Sequence, residues 1–145
     1  MNRAAKAYAP GVAAGTALVL ARELSFWGGV EPETGRIIDR SHPDLGKSVD
    51  GKVLVMAGGR GSSSSSSVLA ETIRRGTGPV AVLLSRPDPI ITVGALVAAS
   101  LYGIECPVVV CSTENIASGD MLRVETAPDG TASVERLPAE DSNPA

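Results

Sequence analysis

One stretch limits what this chain can fold into more than any other: Val53-Leu54-Val55-Met56-Ala57, an unbroken apolar run, leads straight into Gly58-Gly59-Arg60-Gly61 and then six consecutive serines, Ser62 to Ser67. An apolar run of that kind fits a strand covered on both faces, because a half-exposed strand would alternate. Val68 to Arg75 then reads as a helix, with Arg74 and Arg75 in its last turn and Gly76 as its stop signal. Val80 to Leu84 is a second buried strand, Ile91 to Tyr102 a small-residue helix ended by Gly103, and Pro107 to Val110 a third strand. Strand, helix, strand, helix, strand in that order predicts an α/β fold with a parallel βαβαβ core, since each crossover has to return over the sheet.

The flanks add β structure to that core. Gly15 to Ala21 and Leu24 to Trp27 are expected as strands, Ile37-Ile38 as a short one, and Asp39 to Gly51 as a polar loop. Met121 to Glu125 and Ser133 to Leu137, joined through Pro128-Asp129-Gly130, form a closing hairpin. At 145 residues the chain is long enough for one core. Residues 1–137 are therefore expected to form a single domain, with 138–145 as a polar C-terminal tail.

Several function classes are disfavoured. Net charge is −3, Lys and Arg are scattered, and aromatic residues are only 3%, so neither the basic stripe nor the stacking platform of a nucleic-acid binder is present. Cys106 and Cys111 flank an apolar run and read as buried free thiols in a reducing compartment; with the lone His42 they match no common zinc spacing, so no metal site is expected in this chain. Arg3 and Lys6 precede the apolar stretch Val12 to Ala21 as in a signal peptide, but Gly15 and Thr16 dilute it. The uncharged run Pro89 to Ile104 falls short of the ~20 residues that a membrane helix needs. A cytoplasmic protein without a membrane partner is the expectation.

The glycine and serine loop carries the chemistry. A serine run is ordinarily a flexible linker, yet here a buried strand and a helix bracket it and leave only a tight turn. One or two serines are expected to cap the helix; the surplus points to function. Unpaired N–H groups and the positive end of the helix dipole favour an anion, so a carboxylate or phosphate fits here, with Arg60 as its clamp, and the same field stabilises a serine alkoxide. A P-loop is excluded by the missing lysine, and a Ser-His-Asp hydrolase lacks the nucleophile-elbow pattern. Asp39 and His42 read as turn formers, with lining of the cleft as the alternative, Phe26 and Trp27 as core or interface residues, with packing over the substrate as the alternative, and Asp88 and Glu105 as exposed element ends.

Read together, Ser25-Phe26-Trp27-Gly28-Gly29-Val30-Glu31-Pro32-Glu33-Thr34-Gly35, His42-Pro43, Gly51-Lys52-Val53-Leu54-Val55 and Gly59-Arg60-Gly61-Ser62-Ser63-Ser64 resemble the small subunit of aconitase X, in its type II, bacterial form. The resemblance implies a swivelling β/β/α domain, as in the aconitase swivel domain. It also implies half of a heteromeric hydro-lyase, active only with a large subunit that carries an iron or iron–sulfur cluster; no cofactor is expected in this chain. Aconitase has a Gly-Ser-Ser-Arg loop whose first serine is the catalytic base, and that serine falls on Ser62. Aconitase's arginine follows its serines, whereas Arg60 precedes them and Ser64 holds the later position. Arg60, Gly61, Ser63 and Ser64 are the expected substrate-binding residues. Loops rich in arginine and serine resemble cis-3-hydroxy-L-proline dehydratases, which form Δ1-pyrroline-2-carboxylate, whereas Gly-Lys-Gly-Ser-Thr loops resemble phosphomevalonate dehydratases; this loop belongs with the former, so the resemblance implies the small subunit of a cis-3-hydroxy-L-proline dehydratase that supplies the serine base. The alternatives are therefore a small subunit for phosphomevalonate or another hydroxy acid, or an anion-binding swivel module without chemistry.

Overall fold

A computed structural model describes residues 2–138, so most of the tail, residues 139–145, lies outside the described residues. Seven strands and two helices follow in the order β1 (Asn2–Ala9), β2 (Val12–Val19), β3 (Val53–Met56), α1 (Ser65–Arg75), β4 (Ala81–Leu84), α2 (Pro89–Tyr102), β5 (Val108–Val110), β6 (Met121–Thr126) and β7 (Thr131–Arg136). The strands close into a barrel in the order β1-β5-β4-β3-β2-β6-β7, with β7 pairing back onto β1. β2, β3, β4 and β5 run parallel, and the remaining pairings are antiparallel.

The apolar runs are unbroken because the central strands have two dry faces. Leu54, Met56, Val82, Leu84 and Val108 pack in one cluster with Leu69, Ile73, Ile91 and Ala95 of the helices. The alternate residues Val53, Val55, Ala81, Leu83 and Val109 point to the other side and meet Leu122, Val124 and Val134 of the closing hairpin inside the barrel. A period of two thus sorts one run between two cores.

The N-terminal part departs from expectation. β2 begins at Val12 and ends at Val19 rather than spanning Gly15 to Ala21, and the unforeseen β1 supplies the strand that closes the barrel. Leu24 to Trp27 is not a strand; its only ladder contact is a bridge from Leu24 to Gly59. The segment instead works as a plug, with Leu24 and Phe26 buried in the helix-side core while Trp27 is 60% exposed. α1 starts at Ser65, three residues before the expected Val68. Ile37 makes only an isolated bridge to Val30 within the loop that precedes β3.

Phe26→Ala removes the plug and is expected to lower stability by about 3–5 kcal/mol, whereas Trp27→Ala stays within about 0.5 kcal/mol. Urea unfolding midpoints at constant slope measure both.

Candidate functional site

Because β2, β3, β4 and β5 are parallel, their C-terminal ends share one rim, where crevices in open α/β sheets take ligands. The serine loop leaves β3 at this rim. It is held from three directions. Ala57 C=O accepts from Ser85 N–H (3.1 Å) and Arg86 N–H (3.2 Å) of the β4–α2 loop. Gly59 N–H donates to Asp88 Oδ2 (2.7 Å), while Asp88 Oδ1 accepts from Ile90 N–H (2.9 Å) and Ile91 N–H (3.0 Å) as the N-cap of α2. Leu24 bridges Gly59 from the third side. Gly61 then turns the chain with φ +91°, and a Cβ there would lie 2.8 Å from Ser25 Oγ, so both the dihedral and the close approach require glycine.

Among the six serines the labour is divided. Ser65 is buried; its Oγ accepts from Trp27 N–H (3.0 Å) and lies 3.3 Å from Ser25 Oγ, which donates its own proton to the Trp27 carbonyl (3.0 Å). Ser66 Oγ donates to the Ile90 carbonyl (2.7 Å), tying the start of α1 to α2. These two are structural. Ser62 and Ser63 are exposed, and Ser62 Oγ accepts the N–H of Ser64 (3.1 Å). Ser64 is the N-cap of α1, but its side chain makes no capping bond, so the side-chain cap expected from the sequence is absent. The Ser62 and Ser63 carbonyls instead accept from Ser65 N–H (2.9 Å) and Ser66 N–H (3.1 Å) in the tight turn that opens the helix.

The sequence-derived candidates Arg60, Gly61, Ser62, Ser63 and Ser64 therefore come together at the N-terminus of α1. Arg60 is exposed and borders two hollows: a narrow one of about 50 Å³ with Gly59, Gly61, Ser65 and Asp88, and an open one of about 330 Å³ with Arg22, Glu23 and Ala57. Another concavity, about 370 Å³, sits at the opposite end of the parallel strands between Val12, Gly51, Pro79 and Glu105, and none of the loop residues reaches it.

His42 and Asp39 are not part of the rim chemistry. His42 is buried; Nε2–H donates to the Arg22 carbonyl (3.1 Å) and Nδ1 accepts from Asp44 N–H (3.0 Å). Asp44, also buried, accepts from Ala21 N–H (2.9 Å) and Lys47 Nζ (2.8 Å). This latch fixes the 20–24 backbone and hence Arg22, Glu23 and Leu24. Burial alone would raise the Asp44 pKa; the Lys47 and Ala21 bonds outweigh it and hold the carboxyl below its ordinary value. Asp39 turns back on Ser41, accepting from its N–H (2.9 Å) and Oγ–H (2.7 Å). Three residues that shape the site went unassigned by sequence reasoning, Ser25, Glu23 and Arg86, and Asp88, expected as an exposed element end, is instead half-buried, because its carboxylate accepts the backbone N–H groups of Gly59, Ile90 and Ile91. Only Asp88 carried a legible signal, an Asp-Pro step at the start of a helix.

No group of three or more His, Cys, Asp or Glu side chains able to hold a metal ion occurs among the described residues. Burial pushes the Cys106 thiol up to about 12, and burial also raises Cys111, partly offset by Arg3, so both remain protonated thiols. No helix among the described residues is long and apolar enough to cross a membrane.

The family model described as the aconitase X swivel domain matches residues 3–134. The chain is 47% identical over 98 residues to cis-3-hydroxy-L-proline dehydratase of Pseudomonas aeruginosa, covering 68% of this chain and 17% of that protein. It is 38% identical over 131 residues to the phosphomevalonate dehydratase small subunit of Methanocella arvoryzae, covering 88% and 92%. Among solved structures, Thermococcus kodakaraensis aconitase X in its holo-form superposes with a TM-score of 0.81 at 28% identity, covering 94% of this chain and 99% of that one. The chain thus spans about a fifth of the length of the cis-3-hydroxy-L-proline dehydratases it matches.

Ser65→Ala leaves the Trp27 N–H without its partner and lowers stability by about 1–3 kcal/mol, whereas Ser63→Ala stays within about 0.5 kcal/mol, read from thermal unfolding. Asp44 contributes stability that is complete above its unfolded value of about 3.8 and is lost as pH falls through its lower folded value. Acid titration from pH 5 to about 2 therefore destabilises the wild type more than Asp44→Asn, followed by urea unfolding at each pH.

Proposed function

The chain belongs to the aconitase X swivel-domain family, and on that premise we propose that it is the swivel component of a heteromeric dehydratase to which it supplies Ser62 as the catalytic base. The observation that carries this reading is the setting of Ser62: an exposed hydroxyl at the N-terminus of α1, with a backbone N–H directed at its Oγ. A hydrogen bond donated to Oγ and the positive end of the helix both favour the alkoxide over the alcohol.

The substrate class we assign is a hydroxy acid, and specifically cis-3-hydroxy-L-proline, on the strength of the 47% identity to a dehydratase of that name and of the Arg60-Gly61-Ser62 loop. Ser62 takes the proton α to the carboxylate, the C3–O bond breaks with its electron pair going to the departing oxygen, which takes up a proton to become water and so returns the net proton balance to its start, and the resulting enamine tautomerises to Δ1-pyrroline-2-carboxylate. Arg60, with the backbone of Gly61 and the hydroxyls of Ser63 and Ser64, lines the site and holds the carboxylate. The residues described here do not fit an iron or iron–sulfur centre, since no cluster of potential ligands occurs among them and the buried thiols are protonated. Such a centre belongs to the partner component, where it supplies Lewis acidity. Most of the Pseudomonas dehydratase lies outside the matched segment, which leaves ample length for that component. The whole is read as a cytoplasmic enzyme that engages neither nucleic acid nor membrane.

A second reading is favoured by length: the match to the Methanocella phosphomevalonate dehydratase small subunit spans 92% of that protein. A phosphorylated hydroxy acid then replaces the hydroxyproline.

Dehydration assays on the reconstituted complex separate these readings. Activity on cis-3-hydroxy-L-proline is expected to require both components and to fall by ~10²- to 10⁴-fold or more in Ser62→Ala, with unfolding unchanged. Full activity of Ser62→Ala would contradict the assignment of the base. Turnover of phosphomevalonate alone selects the second reading.

A further inference from the structure

Arg86 occupies a place that an ordinary surface ion pair does not explain. It stands in the loop that joins β4 to α2, pinned by its own N–H to the Ala57 carbonyl (3.2 Å), and Pro87 behind it restricts its backbone to extended conformations. From there its side chain crosses the end of β3. A Cβ on Gly58 would lie 2.9 Å from Nη2, 3.0 Å from Cζ and 3.1 Å from Nε of Arg86, so the guanidinium lies over the bare glycine backbone. Its far end reaches Glu23, on the loop that follows β2, through Nη2 and Oε1. Gly58 is thus kept clear for a guanidinium at the root of the serine loop.

Three arginines and two carboxylates stand near this point: Arg86 pairs with Glu23, Arg22 and Arg60 border the same hollow of about 330 Å³ as Glu23, and Asp88 borders the narrower hollow with Arg60. Arg22 is committed to the Ser41 carbonyl through Nη2. Both partners of the Arg86–Glu23 pair are substantially exposed, 53% and 36% for the side chains. An exposed pair of this kind contributes little net stability, so exchanging one carboxylate for another on the same guanidinium costs little. A guanidinium presents a planar fork that fits any carboxylate in two-point contact.

Resting on the reading of this rim as a hydroxy-acid site, we infer that Arg86 is a substrate-carboxylate ligand whose resting partner is Glu23, the incoming carboxylate displacing the Glu23 side chain from the guanidinium. Glu23 is then a competitor for the substrate, and its removal strengthens binding. A purely structural strap behaves differently, because loss of either end loosens the loop in the same way. Gly58 enters as the third member: a methyl group there displaces the guanidinium without altering any charge.

Two readouts test this. In the reconstituted dehydratase, Arg86→Lys, which keeps the charge but not the fork, raises KM for cis-3-hydroxy-L-proline by about tenfold or more. Gly58→Ala raises it in the same direction, and Glu23→Gln lowers it. KM shifts of the same sign in Arg86→Lys and Glu23→Gln overturn the inference, and so does an unchanged KM in Arg86→Lys; with Ser62→Ala still inactive, the proposed reaction stands. The second readout needs no turnover. In the full ¹⁵N-labelled chain, the Arg86 Nε–H resonance is expected to move on titration with L-proline and not with pyrrolidine, and to saturate at lower concentration in Glu23→Gln. A resonance unmoved by L-proline in both wild type and Glu23→Gln overturns the inference even if the complex is active on a different hydroxy acid.

Discussion

One carboxylate holds the serine loop in place. Asp88 accepts three backbone N–H groups, from Gly59 through one oxygen and from Ile90 and Ile91 through the other, and so joins the turn after β3 to the first turn of α2. Backbone donors at a helix start must find partners, and a carboxylate there also meets the positive end of the helix dipole. Here the same side chain caps one helix and fixes the loop that opens the other. Leu24 on one side and Ser65 with Ser25 and Trp27 on the other complete the frame. The exposed Ser62 therefore sits on a rigid mount although it lies in a serine-rich turn.

The barrel makes that mount stiff. The central strands are buried on both faces, and each sends alternate side chains to the helix-side core and to the barrel interior. Closure of the sheet through β1 and β7 removes its free edges, and the serine loop leaves the barrel at the C-terminal ends of the parallel strands. At that rim Arg22, Arg60 and Arg86 stand against Glu23 and Asp88, in a chain whose net charge is −3, so the anion binding proposed for it rests on the local arrangement of charge and not on the charge of the molecule as a whole.

The core was legible because its signal is local. Val53–Met56 and Ala81–Leu84 are apolar without interruption, and Gly76 and Gly103 stop the helices where the sequence predicts. β1 was not legible: Asn-Arg-Ala-Ala-Lys-Ala-Tyr-Ala is rich in alanine and charge, with weak strand propensity, and its pairing with β7 joins residues at the two ends of the chain. Leu24 to Trp27 looked like a strand because its residues are apolar, yet Phe26 is drawn into the core and Trp27 out of it by tertiary packing. The first turn of α1 hid in the serine run, since serine is as much at home in turns as in helices, and only the bonds of Ser65 and Ser66 to distant residues decide between them. The motifs around Trp27, His42 and Gly59 carried the family. The interplay of Arg86, Gly58 and Glu23 depends on three loops meeting in space, and no local pattern announces it.

In the proposed reaction a serine held on this mount removes the proton next to the substrate carboxylate. The most direct test of that step is the release of deuterium from Cα-deuterated cis-3-hydroxy-L-proline by the assembled dehydratase, with wild-type chain and with Ser62→Ala in complexes of equal stability. The wild type is expected to release deuterium, and the variant to release it ~10²-fold more slowly or worse. Release at the wild-type rate from the Ser62→Ala complex would contradict this assignment and move the base to the partner component.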